Sequence, residues 1–294
     1  MRSKALGLLV LLIIATPLAV RAAEPAFDVS VFGHGRAFFM IPGLSSGKDV
    51  WDEAADRYGV QFRIHRFTLA GFAGVPPIPG DFIDRNVAAL EAYAEKNDIH
   101  DAIVMGHSVG GIIALKLAAE APQRFTSVVV IDILPFLGGI TFGAKDATQA
   151  AAATEPYRTQ MKAMTPADFL AQQKSQISLM VTAPEKADML AKWLSGSDAP
   201  TIIEATCELY AGDFRPVLEA VTAPTLVIYP WDPGSNMPAT TIDAVYQTQY
   251  AKLSKKTLKR IDNSRHFVML DQRNAFFRAI DDFISRPVRL GAEH

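Results

Sequence analysis

Short apolar runs recur along this chain, separated by stretches in which apolar positions return every three or four residues. Phe27–Phe32, Ala37–Ile41, Gln61–Leu69, Asp101–Met105, Phe125–Ile133, Pro224–Tyr229 and Thr257–Ile261 read as strands from their β-branched and aromatic content. Helical spacing fills the gaps. Over Phe82–Asn97 it puts Ile83, Val87, Leu90 and Ala94 on one face, with Asp81 or Asp84 near the positive end, and a closing helix presents Phe276, Ile280, Phe283 and Ile284. A further helix is expected near Ala239–Leu253. Strand and helix in alternation predict an α/β fold with a mostly parallel, doubly wound sheet whose site lies at the carboxyl ends of its strands. Phe125–Ile133 is apolar almost throughout, as expected of a strand buried on both faces. The first two runs, joined by Gly33-His34-Gly35-Arg36, are expected to open the sheet as an antiparallel edge leading into a central strand.

The pattern changes between Pro135 and Val221. Beta-branched runs give way to helical segments rich in Met, Ala, Leu and Gln, including Pro166–Val181 and Pro184–Leu194. This predicts a helical lid insertion over residues 135–221, dividing a core into 23–134 and 222–294. Met161, Met164, Phe169, Met180, Met189 and Trp193 are candidates for an apolar substrate pocket beneath it, although packing of the lid on itself is the commoner fate of any single one of them.

Residues 1–22 read as a targeting segment rather than as part of the fold. Arg2 and Lys4 precede an apolar run, Ala5–Val20, broken by Pro17, and Val20-Arg21-Ala22 has small residues where a signal peptidase needs them. Cleavage is expected near Ala22, giving a periplasmic or secreted protein with no stable membrane association. Of 29 basic residues, removal of Arg2, Lys4 and Arg21 leaves 26 against 31 acidic ones, a net charge of −5. A mildly acidic chain without a basic stripe argues against nucleic acid as a partner. Cys207 is the single cysteine, so no intramolecular disulfide forms, and it is expected to be a small buried hydrophobe. Oligomeric state is not legible.

Candidate chemistry concentrates in Ala102–Leu115. An apolar strand runs into Gly106-His107-Ser108-Val109-Gly110 and straight on into a helix, the form of a nucleophile elbow. Glycine at 106 and 110 lets strand and helix close on each other, leaving Ser108 at the tip with the free N–H groups of a helix N-terminus beside it. Two further loops follow strand ends: Pro230-Trp231-Asp232-Pro233-Gly234 delivers a carboxylate, and Asp262-Asn263-Ser264-Arg265-His266 delivers an imidazole. Asp132, ending Val128-Val129-Val130-Ile131, is a rival carboxylate, and Asp232 is favoured from its loop context. His107 is set aside as a sequence neighbour pointing away from Ser108, and His34, His65 and His100 as surface or packing residues. No clustered Cys/His, His-Glu-x-x-His or Gly-x-Gly-x-x-Gly pattern calls for a metal or a dinucleotide, so no cofactor is expected.

The segments P-G-L-S-S-G, G-H-S-V-G-G, D-F-R-P with P-T-L-V-I-Y-P-W-D, and N-S-R-H-F-V-M-L, together with the order Ser108, Asp232, His266, resemble the α/β-hydrolase superfamily, specifically its lid-bearing esterase-like branch. The resemblance spans nearly the whole chain beyond residue 22. It implies Ser108 as nucleophile, His266 as base, Asp232 as acid, and an oxyanion hole from the backbone N–H groups of Leu44 and Val109. Pro42 and Pro230 stand where many relatives carry His and Gly. Serine at the elbow, where dehalogenases and epoxide hydrolases carry Asp, points to a small-molecule carboxylic ester as substrate. Amide or lactone cleavage is the alternative. For an aminopeptidase-like enzyme, Glu155, Asp168, Glu185, Asp188, Asp198, Glu204 and Glu208 are available in the lid to hold a free amine. A non-catalytic binding protein on the same scaffold is a third reading, weakened by the presence of all three triad residue types.

Overall fold

The chain is represented by a computed structural model that describes residues 26–285, so the expected targeting segment lies outside the described residues. Its elements are, in order, β1 (Phe27–Phe32), β2 (Ala37–Ile41), a single-turn helix at Lys48–Trp51, α1 (Asp52–Tyr58), β3 (Arg63–Leu69), α2 (Phe82–Lys96), β4 (Ala102–His107), α3 (Val109–Glu120) and β5 (Phe125–Ile131). Helices α4 (Leu137–Phe142), α5 (Ala147–Lys162), α6 (Pro166–Met180), α7 (Pro184–Ser195), α8 (Ala199–Ala211) and α9 (Val217–Ala220) follow. The chain then completes β6 (Thr225–Trp231), α10 (Ala239–Gln249), β7 (Lys256–Asp262), α11 (Val268–Asp271) and α12 (Arg273–Ile284).

One seven-stranded sheet carries the order β1-β3-β2-β4-β5-β6-β7. All pairings are parallel except β1 with β3, where Phe27 faces Leu69 and Phe32 faces Ile64. The expected edge is therefore present, but β1 does not pair with β2. Burial explains the difference. Every residue of β2 is buried, so it takes a neighbour on each side, whereas β1 is half-exposed and sits at the rim. The core follows from the same logic: Phe38, Phe39, Met40, Ile103, Val104, Val128 and Val130 on central strands are fully buried between helical layers.

The helices between β5 and β6 are capped as the sequence dictates. Thr165 and Asp198 accept the N–H groups of Asp168 and Thr201 at the starts of α6 and α8, and proline occupies the first turn of each. The start of α2 is different. Asp81 makes no side-chain cap there; instead Glu208 of α8 accepts the N–H groups of Phe82 at 2.5 Å and Ile83 at 2.8 Å. Burial raises the Glu208 carboxyl above its ordinary range, and these two amides oppose that shift. A carboxylate from the helical segment thereby satisfies a core helix. Among the described residues no helix is long and apolar enough to cross a membrane.

Candidate active site

At the end of β4 the chain reverses at Ser108, whose φ of 54° and ψ of −126° lie outside the usual non-glycine regions, and α3 begins at the next residue. Only glycine fits at the two flanking positions. A methyl at Gly106 would collide with the Gly110 carbonyl, and one at Gly110 would meet the Ile41 and Pro42 carbonyls at 2.5 and 2.6 Å. The Ser108 N–H donates to the Ile131 carbonyl at 2.9 Å, which ties the turn to β5. A strained residue held this firmly is an observation that points to function.

His266 arrives on the loop after β7. Its neighbours are anchored: the Arg265 N–H donates to Asp271 Oδ2 at 2.8 Å, the Ser264 hydroxyl to the Ile261 carbonyl at 2.7 Å, and the Phe267 N–H to the Met180 carbonyl at 3.1 Å. The imidazole Nδ1 lies 2.6 Å from Asp132 Oδ2. A carboxylate only accepts, so Nδ1 carries the proton, and in the neutral ring Nε2 keeps its lone pair. Ser108, Asp132 and His266 line one cavity of about 280 Å³, together with Leu44, Thr206 and Tyr246.

The carboxylate at His266 is thus that of Asp132, and the expectation for Asp232 is corrected. Asp132 follows β5, the strand beside β4 in the sheet, whereas Asp232 follows β6, one strand further from Ser108. Asp232 Oδ2 instead accepts from Arg265 Nε at 2.6 Å, and its Oδ1 accepts the Gly234 N–H at 3.0 Å. The Arg265 bond, followed by the Gly234 amide, holds its carboxyl below the ordinary range. Arg265 also donates to the carbonyls of Ser178 and Val181, at 3.1 and 3.2 Å, so this ion pair fastens the end of α6 to the His266 loop.

Two residues that sequence reasoning passed over support the pair. Tyr246, on α10, donates its hydroxyl to Asp132 Oδ1 at 2.6 Å. Burial, then the adjacent Asp132, pushes its phenol well above the ordinary value, so it remains a donor. His107 is fully buried rather than turned away from the site: its ring centroid lies 4.4 Å from that of His266, and its Nε2–H donates to the His266 carbonyl at 3.0 Å. Its Nδ1 is buried without a partner. Burial and the neighbouring His266 hold it well below the ordinary imidazole range, so it stays neutral. The Gly-His-Ser step was visible in the sequence, but nothing local showed that a loop far along the chain would close over it.

A second, smaller cavity of about 90 Å³ shares Leu44 and Thr206 with the first as lining residues, and is lined by Ile177, Met180, Leu190 and Trp193 among others. Of the residues expected to form the pocket, Met180 and Trp193 line it, and Trp193 Nε1 is fixed on Asp49 Oδ2 at 2.9 Å. Met161 and Phe169 do not. Each is 3% exposed and packs into the hydrophobic core, because their faces of α5 and α6 turn inward, and Met164, between those helices, is partly buried against that core. None of the seven carboxylates named as candidates to hold a free amine lines either cavity. Glu204 pairs with Arg158 and Lys162, Glu155 with Arg158, Asp198 and Asp168 lie at helix starts, and Glu208 caps α2. Cys207 is buried, and its thiol is pushed up by burial. Among the described residues no group of His, Cys, Asp and Glu is placed to hold a metal ion.

Leu44 lies in the turn after β2. The Gly43 carbonyl accepts the Ser46 N–H at 3.3 Å, and because a trans peptide sets C=O and N–H in opposite directions, the Leu44 N–H points away from Ser46. A methyl on Gly43 would lie 3.1 Å from Ser108 Cβ, so this peptide borders Ser108. Val109 is the first residue of α3, where an N–H has no partner within the helix.

A parallel sheet with an elbow serine, a strand-end imidazole and a carboxylate gathered at one cavity defines a hydrolase of the α/β class. The chain belongs to the alpha/beta hydrolase family, whose profile matches residues 32–279. It is similar to an N-formylmaleamate deformylase from Pseudomonas putida, 23% identical over 259 residues that cover 87% of this chain and 91% of that protein. It is also similar to a pimeloyl-[acyl-carrier protein] methyl ester esterase from Nitrosomonas europaea, 24% identical across 69% of this chain and 80% of the esterase. In fold it matches the enol-lactonase from Burkholderia xenovorans, with a TM-score of 0.69 at 16% identity, covering 88% of this chain and 96% of the lactonase.

Proposed function

We propose that the protein is a serine hydrolase that cleaves carboxylic esters of short to medium acyl or aromatic groups through an acyl-serine intermediate. The observation that carries this reading is the 2.6 Å contact of His266 Nδ1 with Asp132, at a cavity shared with Ser108. His266 Nε2 takes the Ser108 proton as Oγ attacks the carbonyl carbon, and Asp132 steadies the imidazolium that results. The oxyanion that forms is held by the N–H groups of Leu44 and Val109. When it collapses, the bond to the alkoxide breaks and His266 returns the proton to the leaving oxygen. Water, deprotonated by the same imidazole, then attacks the acyl-serine and releases the acid. The helices of residues 135–221 serve as a lid that supplies much of the apolar wall.

Amide cleavage is the second reading, favoured by the deformylase similarity, which extends over 87% of this chain. It uses the same three side chains with an amine as leaving group. An aminopeptidase-like role has less support, since none of the carboxylates named for it lines either cavity. The leader at residues 1–22 supports export to the periplasm or medium.

Labelling with a fluorophosphonate tests the central step. Covalent modification of the native protein, lost together with ester turnover in Ser108→Ala, is the expected result. Turnover that survives this substitution would contradict the proposal.

A further inference from the structure

Resting on the acyl-serine reading above, we infer that the acyl group of the substrate is uncharged: neither a carboxylate-bearing nor an amine-bearing acyl group is accepted. The two cavities, which share Leu44 and Thr206 in their walls, are lined by no lysine or arginine among the described residues. Arg265, although next to His266 in sequence, lines a separate cavity, and its guanidinium is already bound to Asp232 and to the carbonyls of Ser178 and Val181. A substrate carboxylate entering here would be stripped of water with no cation to meet it. It would also share a cavity with the Asp132 carboxylate, which repels it.

A cationic substrate fares no better. Asp132 is the sole carboxylate in these walls among the described residues, and both its oxygens are taken, Oδ2 by His266 and Oδ1 by Tyr246, each at 2.6 Å. An ammonium could recruit it only by breaking the pair that the reaction needs. The remaining polar groups of the smaller cavity, such as Ser46, Gln173 and Thr206, are neutral, and the Ser46 and Thr206 hydroxyls already donate to the carbonyls of Leu44 and Ile202. The walls therefore select apolar or neutral-polar arms by exclusion of charge.

Three activated esters of equal reach test this: 4-nitrophenyl hexanoate, mono(4-nitrophenyl) adipate, which ends in a carboxylate instead of a methyl, and 4-nitrophenyl 5-(trimethylammonio)pentanoate. The expected result is a kcat/KM for each charged ester at least about tenfold below that of the hexanoate. In Leu137→Lys, which adds a cation at a half-buried wall position, the adipate-to-hexanoate ratio should rise by about tenfold or more. Turnover of either charged ester by the native enzyme within tenfold of the hexanoate overturns the inference, whatever the variant does. The two levels fail separately. Turnover that persists in Ser108→Ala, or its absence for all three esters in the native protein, removes the esterase reading itself.

Discussion

Tyr246 donates to Asp132 Oδ1 at 2.6 Å while His266 Nδ1 holds the other oxygen at the same distance, so the carboxylate is clamped from both sides. Tyr246 is itself stacked on Tyr229, ring centroids 4.1 Å apart, and Tyr250 beyond it donates to the Ile133 carbonyl at 2.7 Å. Tyr246→Phe keeps the stack and removes only the hydroxyl. We expect kcat to fall about tenfold with little change in KM, the cost of one hydrogen bond to a charged group. The loss is one of positioning, since the hydroxyl fixes the carboxylate that His266 meets. A kcat about tenfold lower at unchanged Tm and KM is the expected result, and native kcat in Tyr246→Phe would contradict the role.

His107 meets the backbone of His266 rather than its ring nitrogen. With Phe at 107 the contact with Phe267, now 4.6 Å between centroids, is retained and the His266 carbonyl loses its donor. His107→Phe should lower kcat by about five- to tenfold, in line with one neutral hydrogen bond. His107→Gln, which keeps a donor, should recover part of the loss. Equal activity in both variants at unchanged Tm would show that the contact does no positioning.

Two buried histidines set how stability responds to acid. His65 is held down to about 4 by burial and then by Arg63, and His107 lies well below its ordinary value. Below about pH 6.5 the unfolded chain takes up protons that these folded sites refuse, so stability falls as pH drops, by at most about 1.4 kcal/mol per pH unit for each histidine. The window runs from about 6.5 down to about 4, where folded His65 also becomes charged. Asp213, held low by Arg215, acts in a different range: its stabilising contribution disappears only on acidification below the ordinary carboxylate value of about 3.9. Urea midpoints at pH 7.5, 6 and 5 should decline, and His65→Phe should flatten part of that decline. A midpoint unchanged from pH 7.5 to 5 would contradict the assignment.

The placement of Ser108 and His266 at strand ends was legible because each is written into a local pattern: an elbow between glycines, and a loop directly after an apolar strand. The carboxylate that meets His266 was not. Two aspartates end neighbouring strands, and the choice between them depends on which strand lies beside β4 and on what else competes for the carboxylate. The competing group was in the sequence, since Arg265 adjoins His266 and binds Asp232. Its direction became known only with the fold. The edge strand shows the same limit, as a turn sequence at residues 33–36 says that the chain bends but not that β3 will insert between β1 and β2. Methionines of the helical segment could not be sorted by composition, because helical spacing gives a face without saying whether that face meets the cavity or the core.

The account turns on which aspartate serves His266, and paired substitutions measure that directly. In Asp132→Asn the donor at Nδ1 loses its anionic partner, and ester kcat should drop by at least about a hundredfold, with losses on the order of 10⁴ known for an equivalent change. In Asp232→Asn the Arg265 contact weakens but the site is untouched, so kcat should stay within about threefold of native. An inactive Asp232→Asn enzyme beside an active Asp132→Asn enzyme, both folded, would contradict it.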